Sequence, residues 1–335
     1  MVRVAINGFG RIGRMFFRAA QKDPKIKIVG INDLSDNKLL AHLLQYDSVH
    51  GKFPQKVSFN KNNIKVGKLS IPVFAKKNPE ELPWKELKVD VVIESTGFFR
   101  NPSDANKHII AGAKKVIVSA PCKCDKVCGV KYKMVVVGVN HKTYNKKTTN
   151  IISNASCTTN SVAPVLTVIK KQFGIKSCFF STIHGYTSSQ KVVDGPHKDL
   201  RRARAAGVNI IPASTGADVA TVEIIPSLKG KIRGVAYRVP IPDGSITDFV
   251  IETVKPVTVE KVNNAIKKAA TKELKGVLQY SEDELVSRDI IGNKHSSIFD
   301  AKLTKILGKK TLKIAAWYDN EWGYSCRLVD LAKIV

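Results

Sequence analysis

Residues 2–14 read Val-Arg-Val-Ala-Ile-Asn-Gly-Phe-Gly-Arg-Ile-Gly-Arg. A β-rich run to Ile6 leads straight into Asn7-Gly8-Phe9-Gly10-Arg11-Ile12-Gly13-Arg14, and an apolar-periodic stretch through Ala20 then reads as a helix. A second β-run, Ile26 to Ile31, follows. Strand, glycine loop, helix and strand within about 30 residues make the first unit of a doubly wound parallel sheet. Each glycine has a task there. Gly8 allows the tight turn, Gly10 lets backbone approach a pyrophosphate, Gly13 lets the helix pack on the strand, and the helix N-terminus offers N–H donors. Asp33 stands 20 residues after Gly13, directly after the second β-run, where a carboxylate can hold the ribose hydroxyls of a dinucleotide. It would repel a 2′-phosphate, and Leu34 rather than Arg comes next, so NAD is expected over NADP.

Outward from this motif, further β-runs end in small or polar residues: Val89–Glu94 before Ser95-Thr96-Gly97, Lys115–Val118 before Ser119-Ala120-Pro121, and Met134–Val139. Helical stretches between some of them give the alternation of an α/β domain. After about residue 157 the strands lengthen and alternate, as in Ser177–Thr187, Lys231–Ile241, Ser245–Lys255 and Thr311–Tyr318. That pattern suits an antiparallel sheet with one face covered. Thr258 can cap a helix with Glu260 in its first turn and an apolar face including Val262 and Ile266, stopping near Gly276. A domain boundary is expected near 156.

The chain has 335 residues, a soft prior for two domains, and 43% hydrophobic and 25% charged residues, ordinary globular usage. Charge is the anomaly. Lys+Arg 55 against Asp+Glu 28 gives +27, and 43 of the cations are Lys. Residues 1–150 carry 28 cations and 11 anions, with the excess densest in 101–150, so polyanions enter as candidate partners. Six cysteines are too sparse for a disulfide framework and fit a reducing compartment. The N-terminus has no apolar core of signal-peptide length and no run suits a membrane span, so a cytoplasmic protein is expected.

Ser153-Asn154-Ala155-Ser156-Cys157-Thr158-Thr159-Asn160-Ser161 precedes an apolar stretch, Val162 to Phe173, that reads as a helix with Pro164 in its first turn. Cys157 then stands at a helix N-terminus, a placement expected to stabilise its thiolate. Flanking hydroxyls at Ser156, Thr158 and Thr159 argue against an inert apolar site. His184, near the end of a strand, is one of seven histidines that could serve as its base, and spacing alone does not single it out.

These stretches, with IND at Asp33, YDSVHG from Tyr46, HGYT from His184, HKDLRRARAA from His197, PASTGA from Pro212, RVPIPDGSITD from Arg238 and WYDNEWGYS from Trp317, closely resemble the phosphorylating glyceraldehyde-3-phosphate dehydrogenases along essentially the whole chain. The resemblance implies a Rossmann NAD-binding domain, 1–156 with 319–335, and an α+β catalytic domain, 157–318, with a mostly antiparallel sheet. It implies that Cys157 attacks the aldehyde of glyceraldehyde 3-phosphate, that His184 takes its proton, and that inorganic phosphate releases the resulting thioester as 1,3-bisphosphoglycerate. It assigns Thr187 and Arg238 to the substrate's phosphate, and Ser156, Thr158, Thr215 and Gly216 to the attacking phosphate, with Arg202 close by. Arg11 and Ile12 fall on the pyrophosphate loop, Ser119 near the nicotinamide, Asn320 on its carboxamide, and Lys77 where relatives often carry an Arg near the adenine. It also implies a homotetramer with 180–210 as a core loop.

Two features depart from that pattern. Ser161 replaces a second Cys that many relatives carry four residues after the nucleophile, which removes a local disulfide partner. Cys122, Cys124 and Cys128 crowd a long connection; with no fourth ligand at zinc-like spacing and lysines interleaved, they read as incidental cysteines of an exposed loop, and no metal site is expected. The alternatives to the main reading are an erythrose-4-phosphate dehydrogenase, a paralogue with the same Cys/His chemistry, and a secondary polyanion or nucleic-acid binder motivated by the charge.

Overall fold

The computed structural model describes residues 1–124 and 128–335. The chain divides into two compact units, one of Met1–Val135, His141–Ala155 and Ser325–Val335, the other of Val136–Asn140 and Ser156–Tyr324. The second unit thus reaches past the expected limit at 318 and also takes in 136–140. Among the described residues no helix is long and apolar enough to cross a membrane.

The first unit carries strands β1 Val2–Asn7, β2 Ile26–Asn32, β3 Val57–Phe59, β4 Asn63–Val66, β5 Leu69–Phe74, β6 Val91–Glu94, β7 Lys115–Val118, β8 Tyr132–Met134 and β9 Ile151–Ser153, with helices α1 Arg11–Ala20, α2 Asn37–Gln45, α3 Pro102–Ala105 and α4 Lys107–Ile110. Their order in the sheet is β3-β4-β5-β2-β1-β6-β7-β9-β8. From β5 to β8 every pairing is parallel. β1 and β6 sit centrally and read as continuous apolar runs, Val4, Ala5 and Ile6 beside Val91, Val92 and Ile93, all buried, as a sheet covered on both faces requires. The expected strand Met134–Val139 stops at Met134. The Asn140 side chain accepts from Val136 N at 2.8 Å and Gly138 takes φ 87°, so the backbone turns instead of continuing the ladder.

The second unit carries α5 Cys157–Phe173, β10 Ile175–Gly185, β11 Ile211–Ala213, α6 Ala217–Ile224, β12 Ile232–Val239, β13 Ser245–Thr253, α7 Val259–Thr271, β14 Leu278–Ser281, β15 Ser297–Leu307 and β16 Thr311–Tyr318. α8, Trp322–Ile334, begins here and ends in the first unit, where Lys333 pairs with Asp23 at 2.7 Å. The sheet order is β11-β12-β10-β13-β16-β15-β14. It is mostly antiparallel, with β10/β12 and β14/β15 the parallel pairs. α5, α6 and α7 pack on one face. Thr258 caps α7, accepting from Lys261 N at 3.2 Å, and Val262 and Ile266 are buried.

α5 starts at Cys157, so Pro164 lies in its interior rather than in a first turn. Proline brings no N–H to the helical ladder at that position. Cys124 and Cys128 lie with their Cα atoms 5.4 Å apart, within the span that a disulfide can bridge.

Candidate active site

In the first unit the glycine loop is shaped by contact. Gly8 has φ 89°, and a Cβ there would lie 2.7 Å from Thr96 N. A Cβ on Gly13 would lie 2.1 Å from the Gly8 carbonyl oxygen, so only glycine lets α1 rest on the loop. Gly10, by contrast, faces open space, and it caps α1 with no side-chain hydrogen bond to the helix N–H groups. Open space, an uncapped helix start and a carboxylate at Asp33 suit a dinucleotide. Asp33 is half-buried and already engaged: Oδ2 accepts from Phe9 N at 2.7 Å and Oδ1 from Ser35 N at 2.9 Å. The carboxylate therefore ties the strand end to the loop as well as facing the crevice. Arg11 reaches back to Asp47 at 2.6 Å. Burial works to raise the Asp47 carboxyl, but the His50 N–H and Arg11 outweigh it and hold it below its usual range. Ile12 is half-buried in the first turn of α1, Ser119 closes β7 with its N–H on the Glu94 carbonyl at 2.9 Å, and Lys77 is exposed.

In the second unit Ser156 caps α5, its Oγ accepting from Thr159 N at 3.0 Å. Cys157 is the first helical residue, and its Sγ stands 3.5 Å from His184 Nε2 near the end of β10. His184 Nδ1 lies 2.7 Å from the Gly185 carbonyl oxygen. Arg238, opposite His184 in the β10/β12 register, places Nη1 2.7 Å from the same Nδ1 and 3.0 Å from the same carbonyl.

Burial and then the Arg238 charge hold the imidazole down to about 3, so the ring is neutral at neutral pH. Burial also pushes the Cys157 thiol up, against the pull of Arg238 and of hydrogen bonds from Thr158. This reverses the expectation from helix position alone: desolvation outweighs the aligned N–H groups.

Tyr318, at the end of β16, accounts for one flanking hydroxyl, Thr158, and ties it to Thr182. Its OH lies 2.9 Å from Thr158 Oγ1 and 2.7 Å from Thr182 Oγ1, and its ring meets His184 edge-on. The sequence signals Tyr318 only by its place at the end of an alternating strand. Asp243 was also passed over. Burial and then Asp319 push its carboxyl up to about 9, and once ionised it raises the Cys157 thiol further.

The remaining candidates lie on the loops beyond these strand ends. Arg202 donates to the Ser214 carbonyl at 3.0 Å and faces Asp199 at 3.5 Å, and its charge bears on Arg238. Thr215 Oγ1 accepts from Ala217 N at 3.1 Å, and Gly216 begins α6 with no capping side chain and open space at its Cβ position. Thr187 contacts Ser189 and Gln190, at 2.9 and 3.1 Å, rather than Arg238. Asn320 is buried, its Oδ1 accepting from Ser245 Oγ at 2.7 Å.

Family models describe the two halves separately. The glyceraldehyde 3-phosphate dehydrogenase NAD binding domain matches residues 2–102, and the C-terminal domain of the same enzyme matches 156–320. The chain is 53% identical to glyceraldehyde-3-phosphate dehydrogenase of Geobacillus stearothermophilus over 100% of its own length and 98% of the relative's. It is 51% identical to glyceraldehyde-3-phosphate dehydrogenase 1 of Bacillus subtilis and 50% identical to glyceraldehyde-3-phosphate dehydrogenase 2 of Streptomyces avermitilis, with the same coverage. With a nucleophile-and-base pair in one half and a dinucleotide cradle in the other, the chain belongs to the glyceraldehyde-3-phosphate dehydrogenase family.

Proposed function

We propose that this chain oxidises D-glyceraldehyde 3-phosphate to 1,3-bisphosphoglycerate, using NAD and inorganic phosphate. The observation that carries the reading is the Cys157 Sγ to His184 Nε2 approach of 3.5 Å at the start of α5. In the tautomer where Nδ1–H and Arg238 Nη1 both donate to the Gly185 carbonyl, Nε2 presents its lone pair to the thiol. His184 accepts the Cys157 proton as sulfur adds to the aldehyde carbon, and the Cys157 N–H with the newly charged ring steadies the oxyanion. Bound NAD would accept a hydride from that carbon, and the acyl group would then remain on Cys157 as a thioester. Phosphate attacks that thioester, the sulfur departs, and the acyl phosphate is released.

Arg238 and Thr187 serve the substrate's phosphate. Arg202 and the open α6 start at Gly216, with Thr215, Ser156 and Thr158, serve the attacking phosphate. Guanidinium, hydroxyl and backbone N–H are the donors that phosphate demands. Ser156 Oγ accepts from the helix N–H and stands 2.8 Å from Thr159 Oγ1, so its proton reaches phosphate when the Thr159 hydroxyl is the donor of that pair. The first unit, with Gly8, Gly10, Arg11, Ile12, Gly13, Asp33, Lys77 and Ser119, is the NAD-binding domain, and Asn320 is the residue for the nicotinamide carboxamide.

Asp33→Ala is expected to lower the NAD-to-NADP ratio of kcat/KM by about tenfold or more, because a charge-assisted ribose contact is lost and repulsion of a 2′-phosphate with it. Phe9 N also loses its acceptor, so KM for NAD rises. An unchanged ratio would contradict the assignment. Glyceraldehyde 3-phosphate and erythrose 4-phosphate, assayed side by side with phosphate varied, test the function itself: phosphate-dependent preference for the three-carbon aldehyde is expected, and phosphate-independent turnover of the four-carbon one would favour the paralogous activity.

Self-association is part of the same reading. Val192, Val193, Leu200, Val208 and Ile210 are exposed along 192–210, and Phe179, Val235 and Val250 are exposed on the second sheet. Patches of this extent suit a surface that copies of the chain cover, and a homotetramer uses both. The scattered lysines add no constellation of this kind, and polyanion binding stays a secondary expectation, checked by its loss with rising salt.

A further inference from the structure

Five buried side chains behind the glycine loop form one hydrogen-bonded chain: Trp84, His108, Glu94, Asn7 and Asn32. Asn7, Asn32 and Glu94 end β1, β2 and β6, where the cradle residues begin, and His108 lies on α4. The direction of its bonds follows from Trp84. An indole N–H can only donate, and it meets His108 Nδ1 at 3.0 Å, so Nδ1 must accept and Nε2 must carry the ring proton. That proton points to Glu94 Oε2 at 3.0 Å. Asn7 Nδ2 donates to the same oxygen at 2.5 Å, and Thr96 donates to Oε1 through its N–H at 2.8 Å and its hydroxyl at 2.5 Å.

Asn7 Nδ2 and His108 Nε2, 3.3 Å apart, are therefore two donors converging on one acceptor, not a bond. With its amide nitrogen committed to Glu94, Asn7 presents Oδ1 to Asn32 Nδ2 at 2.7 Å. Asn32 in turn holds the Lys76 backbone at both its N–H and its carbonyl, each at 2.9 Å.

The asparagines, and the residues bonded to Glu94 and Asn32, adjoin the walls of the cradle. Asn7 precedes Gly8, whose N–H donates to the Asn32 carbonyl at 2.8 Å; Asn32 precedes Asp33; Lys76 precedes Lys77. Thr96 backs the Gly8 turn so closely that a Cβ would lie 2.7 Å away, and Ser95 Oγ donates to the Gly8 carbonyl at 2.7 Å. We propose that Glu94 is a positioning residue for the dinucleotide. Its two oxygens lock the glycine loop, the Asp33 strand end and the 95–97 turn in one arrangement, and Trp84 sets the polarity of the lock through the His108 tautomer. The proposal rests on the reading of this cradle as the NAD site.

The polarity makes a test that simple loss of packing does not mimic. Glu94→Gln keeps the shape but must point an NH2 either at Asn7 and His108 or at Thr96, and every one of those partners is a donor. Trp84→Phe frees Nδ1 to take the ring proton, so Nε2 becomes an acceptor for the glutamine amide. The NAD affinities of wild type, Glu94→Gln, Trp84→Phe and the double variant are measured by calorimetry, with melting temperatures and with kcat at saturating NAD. The 15N shifts of His108 in the protein without NAD report the tautomer directly.

Glu94→Gln is expected to raise the Kd for NAD about tenfold to a hundredfold with kcat within about threefold, as loss of one or two buried hydrogen bonds predicts. Adding Trp84→Phe should recover part of that loss, and wild-type His108 should carry its proton on Nε2. Three results would overturn the proposal: Glu94→Gln binding NAD as the wild type does, a double variant no tighter than Glu94→Gln, or a His108 proton on Nδ1. Parallel loss of Kd, kcat and melting temperature in Glu94→Gln would also overturn it, by making Glu94 a general fold residue. A wild-type chain that does not bind NAD would instead overturn the reading of the cradle itself.

Discussion

Cys157→Ser loses about 10⁴-fold or more in kcat/KM for glyceraldehyde 3-phosphate. Serine keeps the size and the place at the start of α5, and loses the one atom able to form an accumulating thioester. A hydroxyl in this buried setting is far harder to ionise than a thiol, and burial already pushes the Cys157 thiol up. The neutral His184 then faces a proton it cannot take to useful extent. The Kd for NAD should stay within about threefold of wild type, since the glycine loop and Asp33 belong to another part of the chain. Steady-state assay with a calorimetric NAD titration checks both. A variant keeping more than about a tenth of the activity would remove the sulfur from the mechanism.

His184→Gln is expected to cost about 10²–10⁴-fold near pH 7, the range a positioned base contributes. The loss should shrink as pH rises. With the imidazole held down to about 3 and the thiol pushed up, the resting pair is neutral, and wild-type attack proceeds by proton transfer to Nε2. Without that base the variant relies on the fraction of thiol ionised by solvent, which grows tenfold per pH unit until the thiol's own titration. Profiles of kcat/KM for both proteins from pH 6 to 10 should converge at the alkaline end. Parallel profiles, with a deficit independent of pH, would show that His184 acts by shape and not as a base.

What could be read from the sequence follows the range of the forces involved. The loop from Gly8 to Gly13 was legible because its glycines answer contacts made within a few residues, such as the Gly13 approach to the Gly8 carbonyl. Asp33 was legible because it ends the adjacent strand, although its bond to Phe9 N was not. The Cys157–His184 pair spans 27 residues and depends on where β10 ends relative to α5, so spacing left it one option among seven histidines and only the family resemblance singled it out.

Tyr318 joins Thr158 across 160 residues, which no local pattern reports. The direction of the Cys157 shift was misread because helix position is local and desolvation belongs to the folded whole. The strand expected over 134–139 failed through one side chain, Asn140, that captures a backbone N–H the ladder needed. Glu94 ended a recognisable strand, yet nothing in its neighbours announced a buried acceptor with donors on both oxygens.

The central claim is that oxidation stops at a thioester on Cys157 until phosphate takes the acyl group. Rapid mixing of the NAD-loaded protein with glyceraldehyde 3-phosphate, free of inorganic phosphate, tests it most directly. The account predicts a burst of about one NADH per chain followed by near arrest, and steady turnover as soon as phosphate is added. Sustained NADH formation without phosphate, or no burst from an intact Cys157, would contradict it.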